Sequence, residues 1–225
     1  MDKYIITYDN VLSFEECDDI IERIKTEPLY YSGVMGGGLD KRIKDTCDYS
    51  IPLKESKFRR NHVERDIERW ECISSKLIKK LTEKINDYII DVDKTINVWL
   101  SEGKEYDNCE YNVLNRDLLF VDTLLYQKYS KCEGKYRYHM DDGIHSVTNI
   151  DSKENKVMKR VLTYIYYLND VEEGGETELF GNIRIVPECG KLLLFPSEFV
   201  YPHMGRVPIS VDKHIITGWV YMRVC

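Results

Sequence analysis

After Leu114 the chain divides into short β-prone runs, and this texture limits the possible folds more than any other feature. The runs are LLFVDTLLYQKYS, KYRYHMD, RVLTYIYYLND, NIRIVP, GKLLLFPS and HIITGWVYMRV, and Gly, Pro, Asn or Asp separates neighbouring runs. Many short strands at close spacing indicate a β-sandwich or a β-barrel. No tandem repeat, low-complexity tract or linker interrupts the 225 residues, so we expect one domain.

Two helical patterns precede the strands. In NVLSFEECDDIIERIKTEP a helix is predicted to start at Ser13, where Glu16 completes a capping box, and to stop before Pro28. From Asn61 to about Tyr88 apolar residues recur at helical spacing, which predicts a longer helix packed on a sheet. The glycine-rich GVMGGGLDK between them lacks the lysine-serine ending of a phosphate-binding loop, and we interpret it as a flexible connection. The predicted fold class is mainly β with N-terminal helices.

Composition excludes several classes of function. The net charge of −7 and the pI near 5.4 argue against general affinity for nucleic acid. No apolar run approaches the roughly 20 residues that span a bilayer, and the N-terminus has no secretion signal, so a cytoplasmic location is expected. The seven cysteines are scattered without a CxxC pair, which favours reduced thiols over a cysteine-bound zinc. Alanine is absent while Ile, Lys and Asn are frequent, as in an AT-rich genome such as that of a large virus or a parasite.

The segment YRYHMDDGIHS contains the first candidates for metal binding. On a strand, His139 and Asp141 point to the same side, so an imidazole and a carboxylate converge. His203, just beyond the apolar run KLLLFP, supplies a third ligand. Two histidines and one carboxylate on one face of a metal are the arrangement of non-heme Fe(II) oxygenases. For His-x-Asp in isolation, a solvated polar loop is the commoner explanation.

A lysine ten positions after His203 extends the pattern. Lys213 opens the run KHIITGWVYM and shares a strand face with Thr217 and Trp219. A lysine inside an otherwise apolar barrel needs an anion, because burial alone would cost it its charge.

The combined motifs resemble the Fe(II)- and 2-oxoglutarate-dependent dioxygenases, and among them the prolyl 4-hydroxylases. YHMDD, YIYYLNDVEEGGETEL, GKLLLFPS, HMGRVP and KHIITGWVY occur in the order of that family, and NVLSFEECDDII is similar to its opening helix. The resemblance implies a double-stranded β-helix, a jelly-roll barrel flanked by α-helices. Residues 1–110 would then be a helical and β support region, and residues 111–225 the catalytic core.

The resemblance also assigns roles to individual residues. It implies that iron is bound by His139, Asp141 and His203, and that Lys213 pairs with the distal carboxylate of 2-oxoglutarate. Tyr167 matches a tyrosine that hydrogen-bonds this carboxylate in several members. Tyr129 and Thr217 are weaker candidates for the cosubstrate pocket, and each has an alternative interpretation as a barrel-core side chain. Trp219 is interpreted as packing.

The implied cofactors are Fe(II), 2-oxoglutarate and O2, with ascorbate as a further one. Because Asp141 is present, hydroxylation with release of succinate and CO2 is favoured over halogenation. The resemblance favours a prolyl residue in a polypeptide as the substrate. Alternatives are a lysyl residue, a small metabolite, a barrel that binds peptide without turnover, and a metal-binding cupin with hydrolase or isomerase activity.

Other polar residues are not assigned to the site. Asp142 faces away from Asp141 on a strand and is interpreted as a solvated group or a support for its neighbour. His145 is interpreted as a loop histidine, and His62 and His214 have no neighbours that mark them as ligands. The polar segment from 142 to 159 predicts a mobile loop that orders over the site when substrate binds; the alternative is an ordinary surface hairpin loop that stays mobile throughout.

Overall fold

The computed structural model describes residues 2–27, 31–36, 38–54, 56, 64–102, 114–148 and 155–224. Within these ranges strands dominate, and the two long helices lie in the first half of the chain. The elements in chain order are β1 (Ile6–Tyr8), α1 (Phe14–Lys25), β2 (Tyr31–Ser32), β3 (Lys44–Asp45), β4 (Cys47–Ile51), α2 (Glu64–Glu102), a 3-10 turn (Arg116–Leu118), β5 (Leu119–Val121), β6 (Leu124–Tyr129), β7 (Lys135–His139), β8 (Ile144–Thr148), β9 (Asn155–Tyr167), β10 (Thr177–Leu179), β11 (Ile183–Ile185), β12 (Leu192–Pro196), β13 (His203–Gly205) and β14 (Lys213–Val224).

Helix α1 begins as the sequence predicts. The Ser13 hydroxyl accepts the Glu16 N–H at 3.2 Å, and the Glu16 carboxylate accepts the Ser13 N–H at 2.9 Å. This capping box satisfies two of the N–H groups that a helix start leaves without partners. Cys17, Ile20 and Ile24 form the buried stripe. Pro28, the predicted stop, lies outside the described residues.

Helix α2 is longer than predicted. The prediction ended it near Tyr88, but it continues to Glu102. The apolar period explains the extension, because Ile89 and Val92 are buried and Ile96 packs partly on the same core. No glycine or proline occurs before Gly103 to interrupt the pattern. The first predicted residues, 61–63, lie outside the described part of the chain.

The strands form two facing sheets, which confirms the predicted mainly β jelly roll with flanking helices. In the described residues the larger sheet has the order β1-β12-β9-β14-β6-β4-β2, with β5 paired to β14 and β8 to β9. The smaller sheet has the order β11-β10-β13-β7-β3. The first 51 residues supply β3 to the smaller sheet and β1, β2 and β4 to the larger one.

Side chains of the larger sheet alternate between two buried faces. On β12, Leu192 and Leu194 pack in the cluster that includes the helices, while Leu193 and Phe195 point between the sheets. Both faces are covered, which explains why LLLFP reads as a continuous apolar run. The face between the sheets carries the functional candidates of β6, β9 and β14, including Tyr129 and Lys213.

The prediction of a loop from 142 to 159 is wrong for most of this range, because strand β8 and the start of strand β9 lie within it. β8 pairs with the start of β9 in an antiparallel hairpin, from Ile144 opposite Lys159 to Thr148 opposite Asn155. The backbone groups of this polar stretch are therefore satisfied by strand pairing, which composition alone does not reveal. Residues 149–154 lie outside the described residues, and ordering by substrate stays a prediction.

Among the described residues, the helices are too polar or too short to cross a lipid bilayer.

Candidate metal and cosubstrate site

Three metal-binding side chains converge at one end of the smaller sheet. His139 ends β7 and His203 begins β13, and the two residues are partners across this antiparallel pair. Asp141 follows His139 by two positions. His139 Nε2 lies 3.7 Å from Asp141 Oδ1, and His203 Nε2 lies 3.5 Å from Asp141 Oδ2. The three ligand atoms all lie within 4.8 Å of one another, so the fold brings together the triad that the sequence predicted.

Hydrogen bonds fix both imidazoles with Nε2 toward the centre of the triad. His139 Nδ1 donates to the Arg137 carbonyl at 2.8 Å, and His203 Nδ1 donates to the Tyr201 carbonyl at 3.2 Å. A carbonyl can only accept, so each Nδ1 carries the proton and each Nε2 keeps a lone pair for a ligand. The Tyr136 ring stacks on His139 with 3.5 Å between ring centres, which further restrains that imidazole.

The charge states also suit a metal. Burial, followed by the nearby His203, lowers the pKa of His139 to about 4, so this imidazole is neutral at neutral pH. Burial raises the pKa of Asp141, but the two histidines and a hydrogen bond from Thr163 outweigh it, and the pKa stays below its ordinary value. A neutral imidazole and a carboxylate are the protonation states that a divalent cation requires.

A cavity of about 550 Å³ extends from the triad into the barrel. Lys213 lines it and is only 1% exposed. Its Nζ donates to the Gly175 carbonyl at 2.8 Å and lies 4.1 Å from the centre of the Tyr129 ring. Burial lowers the pKa of Lys213 to about 7, and Glu176 opposes this shift. One carbonyl occupies one of the three ammonium protons, so the lysine can still donate to a ligand.

The Gly175 carbonyl reaches Lys213 because of an unusual backbone. Gly174 and Gly175 have φ of +72° and +74°, a region that side chains rarely adopt. A Cβ at Gly174 would lie 2.3 Å from the Val207 carbonyl oxygen. The EEGGET turn is therefore part of the wall beside Lys213.

The other three cosubstrate candidates differ in their access to the cavity. Tyr129 and Thr217 line the cavity, and the Thr217 hydroxyl donates to the Tyr164 carbonyl at 2.8 Å. Tyr167 is fully buried and does not line the cavity in the described residues; its hydroxyl donates to Thr177 Oγ1 at 2.7 Å. Thr177 does line the cavity. A role for Tyr167 in cosubstrate binding would therefore act through Thr177. The sequence analysis did not identify Thr177 as a cavity residue.

Arg160 and Trp219 form a second group that the predictions did not assign to the site. The Arg160 guanidinium carbon lies 3.5 Å from the centre of the Trp219 ring, and Arg160 Nη1 donates to the Asp141 carbonyl at 3.2 Å. Arg160 Nε and Trp219 Nε1 are buried and lack a hydrogen-bond partner in the described part of the chain. The Trp219 N–H helps to lower the pKa of Asp141 but does not meet hydrogen-bond geometry. Both N–H donors are thus buried beside the cavity without acceptors in the described residues.

A β-bulge explains why Arg160 was missed. On β9, Leu162 is opposite Val220, but Arg160 is opposite Tyr221, so Val161 is the extra residue. Val161 and Leu162 both pack on the helix side, and Arg160 turns to the cavity. Strict alternation would place Arg160 on the opposite face, so only the bulge brings it to the site.

The N-terminal strands add a buried polar network to the far wall. Lys44 Nζ lies 2.7 Å from Asp48 Oδ2, and both side chains are almost fully buried. Asp48 also accepts from Gln127 at 3.4 Å, and Gln127 accepts from the Tyr129 hydroxyl at 3.2 Å. Strands β3 and β4 are therefore part of the site. No spacing in the sequence connects them to it.

Asp142 and three further histidines were not assigned to the site by the sequence. Asp142 is exposed at the cavity rim, in agreement with a solvated group. His145 lies on strand β8, so its interpretation as a loop residue is wrong. The His214 Nδ1 hydrogen-bonds to the Tyr126 hydroxyl, away from the triad. His62 lies outside the described residues.

The family resemblance predicted from the motifs is confirmed by comparison with known proteins. Residues 124–221 match the family model described as the 2OG-Fe(II) oxygenase superfamily. This range contains the triad, Lys213, Arg160 and Trp219. This segment is therefore similar to 2-oxoglutarate-dependent oxygenases, whose cofactors are Fe(II) and 2-oxoglutarate, and the triad of this chain fits iron binding. No curated protein sequence matches the chain.

Solved prolyl hydroxylases share the fold. The chain is similar to the viral collagen prolyl hydroxylase of Paramecium bursaria Chlorella virus-1 in its 2OG complex, with a TM-score of 0.53 and 19% identity over 98% of this chain and 97% of that one. For a Trichoplax adhaerens prolyl hydroxylase in complex with a hypoxia-inducible-factor peptide the TM-score is 0.60, with 19% identity over 98% and 84% of the chains. A Pseudomonas putida prolyl-4-hydroxylase gives 0.56, with 14% identity over 98% and 93%. At these identities the likeness establishes the fold alone.

Proposed function

We propose that this dioxygenase hydroxylates prolyl residues in a polypeptide and releases succinate and CO2. The observation that carries the proposal is one cavity that holds two histidines and a carboxylate near a buried lysine without a carboxylate partner in the described residues. The triad suits a metal, and the lysine suits the anionic end of a keto acid.

The donor set fits one divalent ion. Separations of 3.5 and 3.7 Å between Asp141 and the two imidazoles are within the span of an ion about 2.0–2.2 Å from each nitrogen and oxygen. We assign His139, Asp141 and His203 as the residues that hold it. When bound, Fe(II) with three open positions supplies the oxidative chemistry of the class.

Lys213 is proposed to bind the distal carboxylate of 2-oxoglutarate. Its ammonium group is held by Gly175 and by the Tyr129 ring, and Thr177 and Thr217 place hydroxyls on the same wall. An incoming carboxylate would compensate the cost of burying the charge, which favours the protonated lysine. The lysine thereby orients the cosubstrate along the cavity toward the triad.

The free donors favour a prolyl substrate over a lysyl one. A prolyl residue is joined by a tertiary amide and has no backbone N–H, so it offers only its carbonyl for recognition. Arg160 Nε and Trp219 Nε1 are buried donors beside the cavity, and we propose that they become exposed and donate to such a carbonyl when the peptide binds. A lysyl ammonium would instead need an acceptor inside the cavity, where Asp48 is already paired with Lys44, while Asp142 is exposed at the rim.

The rim of the cavity supports a polypeptide as the partner. Tyr31, Val34 and Met140 line it and are exposed, which provides apolar surface for residues that flank the target. Because strands from the first 51 residues complete this wall, we also propose that the chain acts as one domain. The cytoplasmic location and the use of ascorbate stay predictions of the sequence.

Mass spectrometry of peptide products tests the proposal. The protein is incubated with Fe(II), 2-oxoglutarate and proline-rich peptides, and matched peptides carry Ala or Lys in place of the target proline. We expect one added oxygen on proline and an equal amount of succinate. Oxygen on lysine, or on a free metabolite only, would replace the prolyl assignment. Peptide binding without succinate would indicate the non-catalytic barrel.

A further inference from the structure

Two buried hydroxyls lie behind Asp141. Thr163 is on β9 and Ser197 directly follows β12, and each is 1% exposed. The Thr163 hydroxyl lies 2.8 Å from Asp141 Oδ2 and 2.9 Å from Ser197 Oγ. The Ser197 N–H donates to the Val161 carbonyl at 3.1 Å, which anchors the serine to the neighbouring strand. The three side chains form a continuous chain of hydrogen bonds.

The chemistry of the groups fixes the direction of these bonds. An ionised carboxylate can only accept, so Thr163 donates its one hydroxyl proton to Asp141 Oδ2. Thr163 then has no proton left for Ser197, and Ser197 must donate to Thr163 Oγ1. The serine bond polarises the threonine hydroxyl and makes it a better donor to the carboxylate.

We propose that Thr163, supported by Ser197, is a positioning residue that holds the Asp141 carboxylate in place for the metal ion. This inference rests on the proposed metal ligands. The bond to Thr163 restrains the plane of the carboxylate, while Oδ1 and Oδ2 still face His139 and His203 at 3.7 and 3.5 Å. The threonine thereby holds the carboxylate in the orientation that the donor set needs.

The position of Thr163 is suited to this role. Its strand forms ladders with both β12 and β14, opposite Phe195 and Trp219, so its backbone is held on both sides. A hydroxyl fixed in this way restrains the carboxylate before metal arrives. Partners of metal ligands typically contribute tenfold to a hundredfold in metal affinity.

Direct metal titration tests the inference without turnover. The variant Thr163→Val keeps the shape and strand preference of threonine but removes the hydroxyl, and Thr163→Ser restores it. We expect the Kd for Mn(II), measured by electron paramagnetic resonance under anaerobic conditions, to rise tenfold to a hundredfold in Thr163→Val and to return to within a few fold of wild type in Thr163→Ser. In the Co(II) form, the visible spectrum of Thr163→Val should change as well, because the Asp141 carboxylate is then free to rotate at the ion.

A second threonine in the same protein provides a matched control. Thr46 is buried and donates to Asp48 Oδ1 at 2.7 Å, a comparable threonine-aspartate bond that does not touch the triad. Thr46→Val should leave the Kd for Mn(II) unchanged. An equal loss of affinity in Thr46→Val and Thr163→Val would overturn the inference, because general loosening of the fold would then be the cause.

The remaining outcomes separate this inference from the proposed function. If Asp141→Ala weakens Mn(II) binding and Thr163→Val does not, the positioning role is wrong and the metal site stands. If Asp141→Ala binds Mn(II) as tightly as wild type, the metal assignment itself is wrong. Should Thr163→Val fail to fold, the variant Ser197→Ala provides the test. A several-fold higher Kd for Mn(II) supports the hydrogen-bond chain from Ser197 through Thr163 to Asp141, and an unchanged Kd overturns it.

Discussion

Lys213 and Tyr129 face each other across β14 and β6, with the lysine Nζ 4.1 Å from the centre of the tyrosine ring. The ring and the Gly175 carbonyl are the neighbours that hold a fully buried cation in the described part of the chain. Neither neighbour carries a formal charge. The arrangement therefore resembles half of an ion pair, and it explains why an anionic cosubstrate is expected here.

Removing the lysine charge should weaken cosubstrate binding. Loss of one partner of a desolvated charge pair costs about 2–5 kcal/mol, so Lys213→Met should raise the Kd for 2-oxoglutarate well over tenfold. Lys213→Arg should retain part of the affinity, because a planar guanidinium carries the charge in a different geometry. Anaerobic calorimetry measures both. Unchanged 2-oxoglutarate binding with a higher KM for peptide would instead assign Lys213 to the substrate.

The depressed pKa of Lys213 predicts a pH dependence of cosubstrate affinity. The lysine must be protonated to pair with a carboxylate, and its pKa in the free protein is about 7. Affinity for 2-oxoglutarate should therefore be constant below pH 7 and fall as the pH rises above it, by up to about tenfold per unit. Titrations between pH 6 and 9 with Lys213→Arg as the control measure this, because arginine stays charged. Identical profiles for the two proteins would contradict the assignment.

Stability should show the opposite trend. The folded pKa of Lys213 lies below its ordinary value of 10.5, so between pH 7 and 10.5 the unfolded chain holds a proton that the folded chain has lost. The contribution of this residue to the free energy of unfolding should therefore rise with pH in that window. The difference in urea midpoint between wild type and Lys213→Met, followed against pH, isolates this contribution. A pH-independent difference would show that Lys213 is not titrating there.

Replacing Arg160 should lower the turnover of peptide. Hydrogen bonds to charged groups contribute about 1.5–3 kcal/mol, so Arg160→Gln should lower kcat/KM for peptide by tenfold to a hundredfold. Trp219→Phe keeps a ring beneath the guanidinium but loses the indole N–H, and a smaller loss is expected. Because Arg160 also donates to the Asp141 carbonyl, the Kd for Mn(II) is measured in both variants to separate an effect on the metal from an effect on the peptide. Normal peptide kinetics in Arg160→Gln would contradict the proposed carbonyl site.

The buried pair Lys44 and Asp48 predicts an asymmetric effect on stability. Lys44→Met leaves the Asp48 carboxylate buried without its partner at 2.7 Å, which should destabilise the fold by about 3–5 kcal/mol. The double variant Lys44→Met with Asp48→Leu should recover most of this loss, because neither charge remains. Urea denaturation of the single and double variants gives the comparison. A double variant as unstable as the single one would show that the pair itself stabilises the fold.

Much of the site was predictable because it follows local rules. The capping box of α1 depends on Ser13 and Glu16 alone. Alternation along β14 puts Lys213 and Thr217 on one face. Asp141 lies just beyond the end of β7, and its spacing of two residues from His139 still indicated that the two side chains converge. These features require only the period of a strand and the chemistry of the side chains.

The parts that were missed depend on tertiary structure. The bulge at Val161 turns Arg160 into the cavity against the strand period. Lys44 and Asp48 reach the site because β3 and β4 join different sheets, a pairing between distant segments. The hairpin of β8 is stabilised by its pairing with β9, while its polar composition indicated a loop. The composition of a segment does not predict which distant strand it pairs with.

The central claim is that one 2-oxoglutarate molecule joins the metal triad to Lys213. Anaerobic binding of 2-oxoglutarate, with and without Fe(II), to wild type, Asp141→Ala, Lys213→Met and the double variant tests it most directly. We predict that affinity falls more than tenfold when Fe(II) is omitted or when either residue is replaced, and that Fe(II) gives little gain in Asp141→Ala. Binding that is equally tight with and without Fe(II), and unaffected by either substitution, would contradict the account.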